Sequence, residues 1–257
     1  MKIYSWNVLF RNKELDRAFA CIQTLEFDVL CLQEVPDVLL ERLKTLPLHL
    51  RFEVDNSRLE AGKRFSIYCV VLSKHPILAS ERIDFPKVER PLRTRCFQAT
   101  LWQLHELGER GSLFVDIETQ NGRMRVFCLH LTLSYPSQIM HEFEIAMRAR
   151  DVSIPTIVCG DFNILESPHI TPLNWLLGGR LRDSFAFRST RRHFEETFAL
   201  LRLQNPLRGS PTQTISRSQL DHILVPVTFQ IVRANVLSDR IGSDHHPVFL
   251  EAAPGVH

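Results

Sequence analysis

The sequence lacks long apolar runs, repeats, low-complexity segments and linkers rich in Gly, Ser or Pro. No stretch approaches the roughly 20 apolar residues of a membrane-spanning helix, and the first residues, 1–7, lack the apolar core of a secretory signal. We therefore expect no membrane span and a cytoplasmic location. The absence of linkers favours one domain, predicted over residues 1–252 and followed by a short tail at 253–257.

The cysteines lack the C-x-x-C spacing and do not suggest a disulfide framework. Six are present in 257 residues, and most lie in apolar runs such as Val29–Leu32 and Ile157–Cys159. Disulfide frameworks are typical of short secreted chains with small cores, whereas a chain of this length can bury a large core without cross-links. We expect reduced, buried core thiols.

Net charge is small but unevenly distributed. The formal net charge is only +2, which gives no general sign of a nucleic-acid binder. From Arg180 to Arg217, eight arginines accompany three acids and no lysine, so this segment carries +5 and the remainder −3. A local basic segment can steer an anionic substrate even when the whole protein is nearly neutral.

Short alternating or apolar runs dominate the pattern and predict a protein rich in strands. We predict strands over residues 2–9, 28–32, 66–72, 95–101, 113–117, 123–131, 156–159, 221–225, 229–237 and 247–251. We predict helices over residues 14–25, 36–46 and 136–150. Asn121 and Gly122 are typical of a hairpin turn, and the Arg-rich segment is expected to be irregular. This order favours two packed sheets flanked by helices.

Polar residues recur where the predicted strands end. They are Asn7, Glu34, His130, Asp161, Asn163, Asp244 and His245. Each alone has an ordinary interpretation as a turn former or helix cap. Strand ends of one sheet can, however, converge on one edge, where a rigid scaffold positions functional side chains.

Six sequence blocks, in this order, resemble the endonuclease/exonuclease/phosphatase superfamily over nearly the whole chain. The blocks are Trp6-Asn7, Gln33-Glu34, His130-Leu131, Gly160-Asp161-Phe162-Asn163, Leu220-Asp221-His222-Ile223 and Gly242-Ser243-Asp244-His245-His246-Pro247-Val248. The resemblance implies a four-layered α/β sandwich. It also implies attack of water on phosphorus assisted by Mg²⁺ or Mn²⁺, hard cations that prefer carboxylate and amide oxygens.

The resemblance assigns the candidate metal and water site. Glu34 matches the main metal ligand, held near Asn7, and Asp244 matches a second metal or water-shell carboxylate. Asp161 matches the carboxylate that orients or deprotonates the attacking water. Asn163, with Asn7, matches the residues that hold phosphate and water, because an amide hydrogen-bonds phosphate oxygens without adding negative charge. The predicted metal ligands are thus Asn7, Glu34 and Asp244.

The resemblance also assigns two histidines to the phosphate. His245 matches a histidine that contacts phosphoryl oxygens, and Asp221 matches the carboxylate that holds it. Such a partner raises the pKa of an imidazole and fixes its tautomer. His130 matches a second phosphate-contacting histidine. His222 and His246 are left out, because adjacent residues at a strand end point to opposite faces.

Two blocks depart from the family pattern. Leu9 stands where some nucleases have an acid, which puts a second metal site there in doubt. The block Tyr68–Ile77 has bulkier residues than usual before its Ser-Lys-His-Pro-Ile sequence. Those residues either narrow the substrate groove or belong to the core.

The substrate remains open at this point because one fold hosts several chemistries. One basic group is Arg90, Arg93 and Arg95, and a second is Arg188, Arg191, Arg192, Arg208 and Arg217. The second group interleaves with Phe185, Phe187, Phe194 and Phe198, which either stack on unpaired bases or bury an irregular segment. We favour a monomeric nuclease or DNA/RNA-end phosphodiesterase with nucleic acid as substrate. The alternative is a phosphatase or phosphodiesterase acting on a lipid head group or small phosphorylated metabolite. A non-catalytic binding module is disfavoured because the catalytic set is complete.

Overall fold

A computed structural model describes residues 1–60, 63–87, 89–101, 105–106 and 110–255. The strands are β1 (Lys2–Asn7), β2 (Val29–Pro36), β3 (His49–Glu60), β4 (Lys63–Ser73), β5 (Ile77–Phe85), β6 (His105–Glu106), β7 (Arg110–Thr119), β8 (Gly122–His130), β9 (Thr156–Asp161), β10 (Leu203–Gln204), β11 (Asp221–Pro226), β12 (Phe229–Val236) and β13 (Val248–Pro254). The helices are α1 (Leu15–Thr24), α2 (Asp37–Leu43), α3 (Leu92–Leu101), α4 (Pro136–Arg148), α5 (Leu173–Leu176) and α6 (Ser189–Leu200), with a 3₁₀ helix at Leu181–Phe185.

The described strands form two mixed sheets. The first sheet has seven strands in the order β12-β13-β1-β2-β4-β3-β6, and the second has six in the order β10-β11-β9-β8-β7-β5. β1 pairs in parallel with β2 and antiparallel with β13. In the second sheet, β9 pairs in parallel with β8 and antiparallel with β11. The central strands of both sheets therefore end at one edge of the sandwich.

The sheets pack face to face, and helices cover both outer faces. Alternate residues of β2 and β4 in the first sheet meet those of β7, β8 and β9 in the second, forming an apolar inter-sheet core. Helices α1 and α2 bury residues such as Phe19 and Leu40 against the outer face of the first sheet. Helices α4 and α6 bury Phe143 and Phe194 against the second. These layers confirm the predicted four-layered α/β sandwich.

The predicted hairpin turn is confirmed between β7 and β8. Thr119 pairs with Gly122 across the turn, and the Thr119 hydroxyl accepts from the Asn121 backbone N–H and donates to the Gly122 carbonyl. Gly122 has a φ of 95°, a left-handed conformation that glycine adopts without steric cost. The Asn-Gly pair thus fixes the register of these two strands.

The predicted strand at residues 95–101 is wrong. This segment belongs to α3, whose first turn begins beside Pro91, with the Pro91 carbonyl accepting from the Thr94 and Arg95 backbone N–H groups. Proline favours the start of a helix because its φ is already helical. An alternating pattern over only seven residues does not distinguish the period of a strand from that of a helix.

The Arg-rich segment is also more regular than predicted, because it contains α6. Thr190, Phe194 and Phe198 follow one another at four-residue spacing and are all buried, which is the helical period. The arginines between them obscured this stripe. Two long strands, β3 and β5, were missed, although Leu50, Phe52 and Val54 alternate at the strand period.

Four of the six predicted buried thiols lie in the interior, whereas Cys21 on α1 is only partly buried. Cys31, Cys69, Cys128 and Cys159 are buried in the inter-sheet core as free thiols. Cys96 is exposed on α3, contrary to prediction, because its segment is a surface helix and not a core strand. Among the described residues, the helices are all too short or too polar to cross a membrane.

Candidate active site

The strand ends of both sheets surround a pocket of about 340 Å³. Seven of the predicted site residues line it: Asn7, Glu34, His130, Asp161, Asn163, Asp244 and His245. The eighth, Asp221, is fully buried and hydrogen-bonds His245 from behind. The structure therefore brings together the whole predicted set.

Asp161 lies at the centre of this set and is 1% exposed. Its Oδ2 accepts a hydrogen bond from the Asn7 amide at 3.0 Å, and its Oδ1 accepts one from the Asn163 backbone N–H at 2.9 Å. Burial raises the pKa of Asp161 above its usual range, and the nearby imidazoles do not cancel that effect. A carboxylate of raised pKa is the stronger base.

The first histidine–carboxylate pair joins His245 to Asp221. His245 Nδ1 donates to Asp221 Oδ2 at 2.8 Å, and its Nε2 lies 3.7 Å from Asp161 Oδ2. Burial lowers the pKa of His245, but the carboxylates of Asp221 and Asp161 outweigh burial and raise that pKa to about 10. A protonated imidazole therefore faces Asp161.

The second pair joins His130 to Asp55, a residue that the sequence analysis missed. His130 Nδ1 donates to Asp55 Oδ2 at 2.6 Å, and its Nε2 lies 3.8 Å from Asp161 Oδ2. Burial lowers the pKa of His130, but the Asp55 carboxylate outweighs burial, and the pKa rises to about 9. Asp55 reaches the site through a bulge, because the β3–β4 register shifts between Val54 and Asn56.

Arg110 supports the second pair from the base of the pocket. Its guanidinium lies 3.8 Å from Asp55, donates to the His130 carbonyl at 2.9 Å and contacts the fully buried Glu142 at 3.3 Å. Glu142 in turn accepts from the Thr132 backbone N–H. Buried charges in this network are thereby paired, and removal of one partner would leave an uncompensated buried charge.

Glu34 faces the pocket from a strained position. Its φ is 54°, and the β2–β4 register shifts between Leu32 and Val35, so a bulge turns the side chain inward. Oε2 accepts from the Phe10 backbone N–H at 3.3 Å. Among the described residues, Oε1 accepts no hydrogen bond and has only two ionic neighbours, His130 at 3.8 Å and Arg58 at 3.9 Å.

Two glycines keep the backbone close at the site. Gly160 has a φ of 142°, and a Cβ there would lie 1.9 Å from the Leu129 carbonyl oxygen. Gly242 has a φ of 78°, and its Cβ would lie 2.1 Å from the Asn12 side-chain oxygen. Any other residue would displace the segments that carry Asp161 and His245.

The site offers several hard oxygen donors to a cation. The tightest group of metal-ligating atoms belongs to Asp161, Asp221 and His245, within 4.8 Å of one another. That proximity is accounted for by the hydrogen bond between His245 and Asp221, so we attribute it to the pair and not to a metal. Glu34 fits a hard cation better, because its Oε1 faces the pocket without a hydrogen bond.

The two excluded histidines lie elsewhere. His222 stacks on Phe162 with ring centroids 4.5 Å apart and contacts Arg191. Burial and the Arg191 guanidinium lower the pKa of His222 well below its usual value. His246 donates from Nδ1 to the Leu237 carbonyl.

The basic and aromatic residues of the Arg-rich segment divide between interior and surface. Arg191 is buried and pairs with Glu166 at 3.0 Å, while Phe194 and Phe198 belong to the helix–sheet core. Phe185 and Phe187 are exposed. The interior members therefore support the burial interpretation, and only the exposed ones are accessible to a ligand.

The two departures from the family pattern have different places in the structure. Leu9 lines the pocket, so no carboxylate occupies its position. In the block Tyr68–Ile77, Cys69, Val70 and Val71 are fully buried and belong to the core. Arg90 lines the pocket, whereas Arg93 donates to the carbonyls of Trp175 in α5 and of Gly179.

Comparison with known proteins agrees with this geometry. The sequence model of the Endonuclease/Exonuclease/phosphatase family matches residues 4–245. No curated protein matches significantly. Similar solved structures include the endonuclease/exonuclease/phosphatase from Beutenbergia cavernae (TM-score 0.70, 20% identity, 99% of this chain and 72% of that one). Others are the Bacteroides thetaiotaomicron mannosyl-6-phosphatase (0.62, 16%, 98% and 99%) and the human Nocturnin catalytic domain with bound sulfate (0.59, 16%, 99% and 94%). The chain belongs to the endonuclease/exonuclease/phosphatase family.

Proposed function

We propose that this chain hydrolyses a phosphate ester by divalent-metal-assisted attack of water on phosphorus. The family is hydrolytic and acts on phosphate esters. The observation that carries the proposal is the pair of buried histidines, each backed by a carboxylate, whose Nε2 atoms both lie near one Asp161 oxygen. Two cationic donors and one base converge on a space suited to a phosphoryl group.

The residues divide the chemistry between them. Asp161 accepts a proton from the attacking water, and the raised pKa of its carboxyl group suits that task. Protonated His130 and His245 donate to the phosphoryl oxygens, where negative charge accumulates in the transition state. Asn7 holds Asp161 in place through its amide, and Asn163 completes the polar wall.

The residues proposed to hold the metal are Glu34, Asn7 and Asp244. Mg²⁺ or Mn²⁺ supplies charge stabilisation at the phosphoryl oxygens and a more acidic bound water. Glu34 contributes Oε1, and Asp244 contributes the oxygen that is not held by Gln213, whose amide donates to Oδ2 at 3.3 Å. Asn7 is the weakest of the three proposed metal ligands, because its Oδ1 already accepts a hydrogen bond from the Leu9 backbone N–H.

The first candidate substrate is a nucleic-acid end, cleaved by a nuclease or end phosphodiesterase. Exposed Phe185 and Phe187, with neighbouring Arg182 and Arg188, support it, since arginines and aromatic rings bind unpaired strands. A small phosphorylated metabolite is the second candidate. The pocket volume of about 340 Å³ supports that alternative, because it lies at the lower end of small-molecule sites.

A substrate panel with Mg²⁺, Mn²⁺ or EDTA tests the proposal. It contains plasmid and single-stranded DNA, RNA, abasic and 5′-phosphotyrosyl oligonucleotides, phosphoinositides and sphingomyelin. We expect metal-dependent cleavage of a nucleic acid, abolished by Asp161→Asn and unaffected by Asp16→Asn, a matched change at an exposed surface ion pair. Cleavage by the Asp161→Asn variant at a rate within tenfold of wild type would contradict the mechanism. Absence of turnover on the whole panel would favour a binding module.

A further inference from the structure

Arg58 on β3 is a mostly buried cation whose side chain makes no hydrogen bond to the described residues. Its side chain is only 12% exposed, it lines the pocket, and its Nε is buried without a hydrogen-bond partner among the described residues. Its ion pair within that part of the chain is with Glu34, at 3.9 Å, too long for a hydrogen bond. Leaving such donors unsatisfied is costly, so the arrangement points to a ligand.

The guanidinium of Arg58 is held in place by an aromatic stack. Its Cζ lies 4.3 Å from the centre of the Phe10 ring, which stacks on Phe65 at 5.7 Å. Arg11 approaches the same Phe10 ring at 5.3 Å. A stacked guanidinium keeps its edge donors available and loses little entropy when they bind an anion.

Asn56 places a buried acceptor on the same strand face as Arg58. Asn56 and Arg58 are two residues apart on β3, a spacing that places side chains on one face. Asn56 is 2% exposed, lines the pocket, and its Oδ1 is buried without a hydrogen-bond partner among the described residues. An amide oxygen accepts hydrogen bonds, so it suits a hydroxyl of the substrate and not a phosphate oxygen. Arg11 and Arg90 also line the pocket.

Arg58 lies next to the residues proposed to bind the scissile phosphate. Glu34 Oε1 is 3.8 Å from His130 Nε2 and 3.9 Å from Arg58 Nη2, so it lies between them. Among the described residues, Arg58 pairs with Glu34 and not with Asp161, the carboxylate that His130 and His245 face.

We propose that Arg58 forms a subsite for a second phosphate of the substrate, next to the phosphate that is hydrolysed. The inference rests on the proposed function. The stacked guanidinium keeps its edge donors open, and its fork matches phosphate oxygens bidentately. The second phosphate belongs either to a nucleotide chain end or to a polyol bisphosphate.

Two matched substrate pairs test the subsite and separate its sources. One is a dinucleotide with and without a 5′-terminal phosphate, and the other is inositol 1,4-bisphosphate against inositol 1-phosphate. Binding is measured by calorimetry in EDTA, and kcat/KM is measured with Mn²⁺. We expect at least one pair to favour the doubly phosphorylated member by roughly tenfold or more, as charge-assisted hydrogen bonds allow. The favoured pair identifies the source.

Variants of β3 then assign the preference to Arg58. In Arg58→Gln the ratio between the two members of the favoured pair should fall to about one, while Arg51→Gln, an exposed arginine on the same strand, should keep the wild-type ratio. If Arg58→Gln does not fold, as judged by circular dichroism, Arg58→Lys should lower the ratio by several fold because lysine lacks the fork.

The outcomes separate this inference from the proposed function. A wild-type ratio near one for both pairs overturns the subsite, and so does a ratio that survives the Arg58 variants. If no substrate is turned over, the proposed function fails, and the calorimetric ratios alone decide the subsite. Turnover without preference for a second phosphate leaves the hydrolase intact and removes the subsite.

Discussion

The two histidine–carboxylate pairs are alike in geometry but differ in their surroundings. His245–Asp221 and His130–Asp55 have Nδ1···O distances of 2.8 and 2.6 Å, and both histidines reach the same Asp161 oxygen. Among the described residues, no arginine forms an ion pair with the first pair, whereas one does with the second. Arg110 lies 3.8 Å from Asp55 and continues to Glu142.

This difference teaches that equal geometry does not require equal electrostatics. Arg110 lies 3.8 Å from Asp55 and shares its negative charge with His130, whereas the pKa of each histidine is raised by its own carboxylate partner, to about 9 for His130 and about 10 for His245. The first pair depends on its own two members, whereas the second depends on a wider buried network. Variants that remove one member of each pair can separate the two cases.

The largest effect is expected where the pairs meet. Asp161→Asn removes the proposed base, the carboxylate that both histidines face, so we expect the rate of phosphate-ester hydrolysis to fall by about 10³-fold or more. The fold should persist, because asparagine has the same size and its side-chain oxygen can still accept hydrogen bonds. Steady-state kinetics with a matched thermal melt measure both. Activity within tenfold of wild type would contradict the shared role.

The second-largest effect is expected at the two carboxylates that hold the histidines. Asp221→Asn and Asp55→Asn should each lower kcat by about 10²-fold, as loss of a preorganised cationic donor does in other enzymes. Asp55→Asn should also cost more stability, about 3 kcal/mol, because it leaves the Arg110 charge less well paired. Urea unfolding of the two variants side by side measures the difference, and equal losses would argue against a stabilising role for Arg110.

A smaller effect on activity should follow from Arg110→Gln. Glu142 then loses its buried cationic partner, so the protein should lose about 3 kcal/mol of stability. Loss of the positive charge should raise the pKa of His130 further and leave that of His245 unchanged. Nitrogen chemical shifts of the two imidazoles, followed against pH, report this directly. A parallel shift at both histidines would show that the pairs are not independent.

The smallest expected effects are on the pH dependence of stability, measured in the metal-free protein. In the folded protein, the pKa values of His130 and His245 lie above the ordinary value of about 6.5. Protonation of these two histidines therefore contributes fully to the free energy of unfolding below about pH 6.5. This contribution is lost as pH rises through about 9 and about 10. The pKa of His222 is lowered, so its contribution is lost in the opposite direction, as pH falls below about 6.5. Thermal melts across pH 5 to 10 should therefore decline at both ends, and NMR should show His222 neutral at pH 6.

The residues of the site were predictable to different degrees for physical reasons. Asp161 and His245 lie at strand ends within short sequence blocks, so local sequence identifies them. Asp55 lies on β3, which the sequence analysis missed, and a bulge together with sheet packing turns its carboxylate toward His130. Arg58 enters the pocket from the same strand. No local pattern marks either residue, because their partners come from distant segments.

The errors in the fold have a similar origin. α6 was hidden because its arginines mask the apolar stripe, and Arg191 is buried only because Glu166 and His222 lie opposite it. Partners of that kind are set by tertiary packing and not by local propensity. The alternation in β3, by contrast, was visible in Leu50, Phe52 and Val54 and could have predicted that strand.

Each histidine–carboxylate pair also takes one member from each sheet. Asp55 lies on β3 and His245 in the segment that leads into β13, and both strands belong to the first sheet, whereas His130 and Asp221 lie on β8 and β11 of the second. Neither sheet holds a complete pair, so a chain in which only one sheet has formed lacks both histidine–carboxylate pairs. The enzyme should therefore lose activity in the same cooperative step in which the sandwich comes apart. Turnover during denaturation then becomes a direct reporter of sheet docking.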